Sequence, residues 1–166
     1  LFNDGKIGKS EEQLMTGIIS NSIQLITHNS RHSESGKNII ILSADSESSL
    51  ISEAAGAAFR SQNWNVFSIG DMSSSIDVLF DLELRKLLSK TWKSKEGVMI
   101  ILVSSKTEEG LKFISDSFYS VKEKSENNLF IILSGKTGKK VKIKGDLSTS
   151  KLEDILQWSN TKYENL

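Results

Sequence analysis

Hydrophobic residues along the chain alternate between two patterns. Short, continuously apolar runs indicate buried strands, whereas longer segments with apolar residues three or four positions apart indicate amphipathic helices. Taken in order, these patterns predict helix 10–29, strand 38–43, helix 48–62, strand 65–69, helix 75–90, strand 97–103, helix 107–124, strand 129–133, a weak strand 141–144 and helix 149–158.

This alternation of strands and helices indicates the fold class. Strands that are apolar throughout need cover on both faces, and connections through helices make them parallel. We therefore predict an α/β fold, a flavodoxin-like doubly wound parallel sheet of order 2-1-3-4-5. The first helix is interpreted as the remnant of a helical bundle. Residues 1–36 then form an N-terminal helical segment with a linker, and residues 37–166 form the α/β domain.

Composition narrows the function classes. The 21 Lys and Arg residues balance the 21 Asp and Glu residues, so the net charge is zero and the basic excess of a nucleic-acid module is missing. The chain has no Cys, which excludes disulfides and thiolate metal sites and favours a cytoplasmic location. The longest apolar runs are strand-sized, so we expect no membrane span.

The predicted fold indicates where a site would lie. In open doubly wound sheets, ligands bind beyond the carboxyl ends of the strands. Three loops, 44–49, 104–107 and 134–138, are expected to meet there, and all three are rich in Ser and Gly. Their hydroxyl and backbone N–H groups favour a polar ligand or a phosphate. The alternative, that Ser and Gly only build the turns, stays open.

Motifs of common enzymes and metal sites are incomplete. Residues 135–137 (GKT) resemble the end of a P-loop, but Phe130 occupies the position of its first Gly. Ser104 stands where a phospho-acceptor domain needs an Asp after the third strand. His28 and His32 are four residues apart without an accompanying carboxylate pattern. We therefore predict no catalytic residue, no metal site and no enzymatic activity.

The most specific sequence motif lies in the first predicted helix. It reads E-Q-x-x-T, with Glu12, Gln13 and Thr16, and the aromatic Phe2 precedes it. Followed by a doubly wound sheet, this arrangement resembles the cobalamin-binding domain of light- and cobalamin-responsive MerR-type transcription regulators, whose helical segment reads W-x9-E-H-x-x-T. The resemblance implies that Phe2 and Gln13, in place of the family's Trp and His, face the upper side of a corrin ring, and that Glu12 lies with them on the helix that caps it.

The resemblance extends to the predicted sheet edge. The family has an E/D-x-H-x-x-G loop whose His ligates cobalt from below, and counting back from Gly70 places Ser46, Ser48 and Ile51 at its acidic, His and Gly positions. A serine hydroxyl does not replace imidazole as a strong cobalt ligand. The cofactor-binding residues that the resemblance implies are Phe2, Glu12, Gln13, Ser46, Ser48, Gly70, Ser104, Ser134 and Gly135.

The resemblance implies a function. Residues 37–166 are expected to form a cobalamin-binding-like domain, the sensory part of a homo-oligomeric transcription regulator that has lost His-ligated cobalamin binding. DNA contacts are expected only from a domain upstream of Leu1. Two alternatives stay open: a corrinoid-carrying subunit of a methyltransferase or mutase, and a structural interaction or dimerisation module that docks through helix 10–29. A bulky residue at position 135 is expected to abolish ligand binding without unfolding the domain.

Overall fold

The computed structural model describes residues 8–28, 36–73, 80–93, 95–122, 127–135 and 143–166. The elements in chain order are α1 (Lys9–His28), β1 (Lys37–Ser43), a 3-10 turn (Ser46–Ser48), α2 (Ser49–Ser61), β2 (Asn65–Asp71), α3 (Phe80–Thr91), β3 (Val98–Ser104), α4 (Glu108–Lys122), β4 (Leu129–Ser134), β5 (Leu147–Ser148) and α5 (Leu152–Glu164). None of the helices in this part of the chain has the length and hydropathy that a bilayer crossing requires.

The strands form one parallel sheet of order β2-β1-β3-β4-β5, which confirms the predicted flavodoxin-like doubly wound fold. Side chains alternate between its two faces. Ile40 and Ile101 belong to a core with residues of α3 and α4, and Ile39 and Ile100 belong to a second core with residues of α2 and α5. The central strand β3 is buried at every position, which explains its continuously apolar sequence.

The predicted secondary structure differs from the observed one mainly near the C-terminus of the chain. The prediction of a strand at 141–144 is wrong, because residues 143–145 are irregular and β5 begins at Leu147; residues 141 and 142 lie outside the described part. The Asp146 carboxylate accepts hydrogen bonds from the Ile131 N–H and from the Lys122 ammonium. Asp146 is thereby held beside β4, where its own N–H also donates to the Ile131 carbonyl at 2.8 Å, and β5 follows directly. The last helix begins three residues later than predicted and continues to Glu164.

The structure also shows a bulge near the end of β2 that the sequence pattern did not predict. The pairing of β1 with β2 skips Ile69, so that Leu42 lies opposite Gly70, and Gly70 has a φ of +88°. A residue without Cβ suits this bulge. Residues 75–79 and 123–124, at the ends of two predicted helices, lie outside the described residues. The division at residue 36 stays a prediction.

Candidate functional site

A row of serines marks the carboxyl edge of the sheet. Ser43, Ser104 and Ser134 pair in register as the last residues of β1, β3 and β4. They share the sheet face of Leu102 and Ile132, which packs against α2 and α5. All three serines are buried. The apolar core on this face therefore ends in a polar layer.

Some of the buried hydroxyl groups in and beside this polar layer lack a hydrogen-bond partner. The hydroxyls of Ser48, Ser52 and Ser104 are buried, and within the described part of the chain none of them has a hydrogen-bond partner. Ser48 and Ser52 lie before and within the first turns of α2, the helix that packs on this face. A buried hydroxyl without a partner costs free energy unless a ligand or water satisfies it.

We expect Ser104→Ala to raise the free energy of unfolding by about 1 kcal/mol, because the substitution removes an unsatisfied buried hydroxyl and leaves a small hydrophobic side chain. Urea denaturation would measure the change. The matched control is Ser159→Ala, since Ser159 is equally buried but donates to the Ile155 carbonyl at 2.7 Å. A loss of stability in Ser104→Ala as large as in Ser159→Ala would show that the Ser104 hydroxyl has a partner in solution.

Asp45 joins two of the loops at this edge. It lies two residues after the end of β1, and its carboxylate accepts hydrogen bonds from the Ser48 N–H at 2.8 Å, the Ser105 hydroxyl at 2.7 Å and the Lys106 N–H at 2.7 Å. The first bond caps the 3-10 turn, and the other two hold the loop after β3. Asp45 therefore fixes the loop after β1 against the loop after β3.

These bonds also set the protonation of Asp45. Burial raises the pKa of the Asp45 carboxyl, but the bonds from Ser105, Ser48 and Lys106 together outweigh burial and hold the pKa below its ordinary value of 3.8. The carboxylate is therefore ionised throughout the physiological pH range.

A cavity of about 670 Å³ opens between α1 and the N-terminal part of α2. Its volume falls within the range of small-molecule sites. The residues that line it come from the polar side of α1, the loop after β1, the start of α2 and the loop after β3: Glu12, Thr16, Ser20, Ser46, Glu47, Ser49, Leu50, Ile51, Glu53 and Lys106.

The cavity carries more negative than positive charge. Lys106 Nζ donates to Glu47 Oε2 at 2.8 Å, and the Ser20 hydroxyl donates to Glu53 Oε2 at 2.6 Å. The hydrogen bond with Glu47, together with the carboxylates of Asp45 and Glu12, raises the pKa of Lys106. One ammonium thus faces three lining carboxylates. This balance disfavours anions, so the predicted preference for a phosphate is not supported here.

The structure brings together only some of the residues that the sequence singled out. Glu12 and Ser46 line the cavity. Gln13 is exposed on α1 beside it, and Gly70 is exposed at the end of the edge strand β2. Ser48, Ser104 and Ser134 are buried in the polar layer below. Phe2 lies outside the described residues.

Gly135 has a structural role that sequence reasoning missed. A Cβ added there would lie 2.1 Å from the Ser105 carbonyl oxygen and 3.1 Å from Leu111 Cδ1. The adjoining Ser134 carbonyl accepts from the Ser105 N–H at 3.0 Å. The loops after β3 and β4 therefore touch at Gly135. This close approach argues against the expectation that a bulky residue at position 135 leaves the domain folded.

Sequence reasoning also assigned the acidic position of the loop after β1 to Ser46, whereas the acidic residue that joins the loops is its neighbour Asp45. Lys106 and Glu53 were missed as cavity residues. A signal for Asp45 was available, because an Asp between a buried strand and a following helical turn is well suited to cap that turn.

Comparison with known proteins supports the fold. No family model matches the sequence, and no curated protein is similar to it. Among solved structures, the chain is similar to the monomethylamine corrinoid protein of Methanosarcina barkeri, with a TM-score of 0.64 and 12% sequence identity. The match covers 99% of this chain and 74% of that one. The protein thus has the fold of a corrinoid-binding protein.

The donor set of the cavity does not fit His-ligated cobalt. None of its lining residues is a His, and the described residues contain no group of three or more His, Cys, Asp or Glu side chains that could hold a metal ion. Ile51, which stands at the family's Gly position, is half exposed at the cavity wall. The site offers carboxylates and hydroxyls to a ligand's periphery and no imidazole to a metal.

Proposed function

We propose that this chain is a non-enzymatic sensory domain of a transcription regulator, and that its ligand binds in the cavity between α1 and α2. The observation that carries the proposal is the cavity itself, in which Glu12 and Ser20 of α1 lie opposite Glu53 of α2 and Lys106 of the loop after β3. The loops after β1 and β3 that contribute Glu47 and Lys106 lie at the carboxyl ends of the strands, where open doubly wound sheets bind ligands.

The charges of the cavity indicate the ligand's chemistry. Lys106 is already paired with Glu47, so Glu12 and Glu53 remain as acceptors for a ligand. Carboxylates bind groups that donate hydrogen bonds, such as amides and amines. A corrinoid carries many amide side chains and therefore suits this cavity through its periphery, without a bond from the protein to cobalt.

We expect hydroxocobalamin and adenosylcobalamin to co-elute with the protein on gel filtration, with visible spectra that show no nitrogen ligand from the protein. Glu12→Gln and Glu53→Gln should each weaken binding about tenfold, because each removes a charged hydrogen-bond acceptor. The matched control is Glu153→Gln on α5, which is exposed and far from the cavity residues in the chain.

Two outcomes would contradict this assignment. Failure of both cobalamins to co-elute at tens of micromolar would remove the corrinoid as ligand. Binding that is unchanged in Glu12→Gln and in Glu53→Gln would place the ligand elsewhere.

A corrinoid-carrying subunit of a methyltransferase or mutase is the second candidate, since the chain has a fold similar to that of the Methanosarcina barkeri corrinoid protein. The missing imidazole argues for the sensory domain instead, since His ligation supports the cobalt chemistry of such carriers. Methyl transfer from a methylated corrinoid bound to this chain would overturn our assignment. We place the regulator in the cytoplasm, and we assign any DNA contact to a separate domain because this chain has no net charge.

A further inference from the structure

The outer side of helix α3 carries charge of a single sign. Leu84, on the inner side of this helix, is buried in the core that α3 shares with α4. Arg85, Lys86 and Lys90 lie on the other side and are exposed, and so is Lys93, two residues after the end of the helix. We call these four residues the basic face of α3.

The other helices on the sheet expose a different balance of charge. Among the exposed residues of α4 are Glu109, Lys112 and Asp116, which mix both signs. Helix α5, on the opposite face of the sheet, exposes the carboxylates of Glu153 and Glu164. The zero net charge of the chain is therefore a sum over surfaces of unlike charge, and α3 contributes a basic one.

The folding of α3 explains only part of this charge. Lys90 lies in the last turn, where a cation interacts favourably with the helix dipole. Lys86 stands four residues before Lys90, and like charges at this spacing destabilise a helix. Within the described part of the chain, none of the ion pairs involves a residue of the basic face. The fold thus gives a reason for Lys90 but not for Arg85 and Lys86.

The limits of the basic face favour an acidic protein segment over a nucleic acid. No acidic residue occurs from Leu84 to Lys95, but Glu83 precedes this run and Glu96 follows it. The helical part, from Arg85 to Lys90, is about 8 Å long. A duplex carries phosphates far beyond this length, and DNA-binding proteins contact about six to ten of them. A short acidic segment matches a short basic face between acidic residues.

We propose that the basic face of α3 binds an acidic helical segment of a partner protein. Carboxylates four residues apart on a helix have the same spacing as Lys86 and Lys90, so two helices lying along each other pair these charges. The four residues include no apolar or aromatic anchor, so the contact forms by electrostatic attraction and is weakened by salt. It goes beyond the proposed ligand site, which α3 does not line, and does not depend on it.

Fluorescence anisotropy with a labelled model peptide tests this surface. The probe is an alanine-rich helical peptide with Glu at every fourth position, added to the full chain. We expect binding at low salt that is about threefold or more weaker at physiological ionic strength. The double variant Lys86→Glu/Lys90→Glu should raise the dissociation constant at least about tenfold, because two attractions become repulsions.

Two further double variants serve as controls. Lys112→Glu/Lys151→Glu changes the net charge by the same amount at exposed lysines of α4 and before α5, and should bind the peptide like the wild type. Lys86→Arg/Lys90→Arg keeps both charges and should also retain binding. Far-UV circular dichroism would show that all three variants fold.

Three results would overturn the proposal. The first is no binding of the peptide at low salt, or equal weakening in Lys112→Glu/Lys151→Glu. The second is tighter binding of a DNA duplex than of the peptide at the same salt concentration, which would assign the face to nucleic acid. The third is a concentration-dependent mass that Lys86→Glu/Lys90→Glu abolishes, which would make a second copy the acidic partner. Cobalamin co-elution should be the same in this variant as in the wild type, so a failure here is distinguishable from a failure of the proposed function.

Discussion

Gly135→Ala is expected to lower the free energy of unfolding by about 3 kcal/mol or more, the upper range of overpacking costs. The new Cβ would lie 2.1 Å from the Ser105 carbonyl oxygen. That atom belongs to the backbone, and the Ser105 N–H is bonded to Ser134, so the loop cannot withdraw without losing this bond. Denaturant unfolding of the variant would measure the loss.

Gly17→Ala is the control for this substitution. Gly17 lies within α1, and an added Cβ meets nothing within 4 Å. The variant should gain about 0.5 to 1 kcal/mol from helix propensity. If Gly135→Ala instead unfolded like the wild type, the loops after β3 and β4 would lie further apart in solution than in the structure.

The fold was predictable because its signal is local. Each central strand is a continuously apolar run, and apolar runs of this length followed by helices have one arrangement that buries both sheet faces. The fifth strand was missed because its position depends on Asp146, whose carboxylate binds Ile131 and Lys122 in other elements. No local pattern reports such a contact.

The location of the site was predictable, whereas its chemistry was not. The sheet edge follows from the topology, and Glu12 and Ser46 do line the cavity there. The sequence does not show which loop residue turns toward its neighbour, so Asp45 and Lys106 were missed. The same limit applies to α1, because periodicity reveals that Leu14, Ile18 and Leu25 share a side but not whether that side meets the domain.

Asp45→Asn should lower the free energy of unfolding by about 2 to 3 kcal/mol near neutral pH, since the side chain accepts three hydrogen bonds as an ion. An amide keeps the shape but loses the charge, and its single oxygen can replace either the carboxylate oxygen that accepts from Ser48 or the one that accepts from Ser105 and Lys106, but not both. Asp71→Asn is the control: Asp71 is exposed, and among the described residues it accepts one bond, from the Ser73 N–H, so we expect a loss below about 1 kcal/mol.

The pH dependence separates the charge of Asp45 from its shape. Because the bonds from Ser105, Ser48 and Lys106 hold the pKa of folded Asp45 below 3.8, its ionised form stabilises the fold at every pH above 3.8. That contribution is lost as the pH falls through the lowered pKa. The difference in unfolding free energy between wild type and Asp45→Asn should therefore stay constant from neutral pH to about pH 5 and shrink below pH 3.8. A difference that persists unchanged at pH 3 would mean that Asp45 acts through its shape and not through its charge.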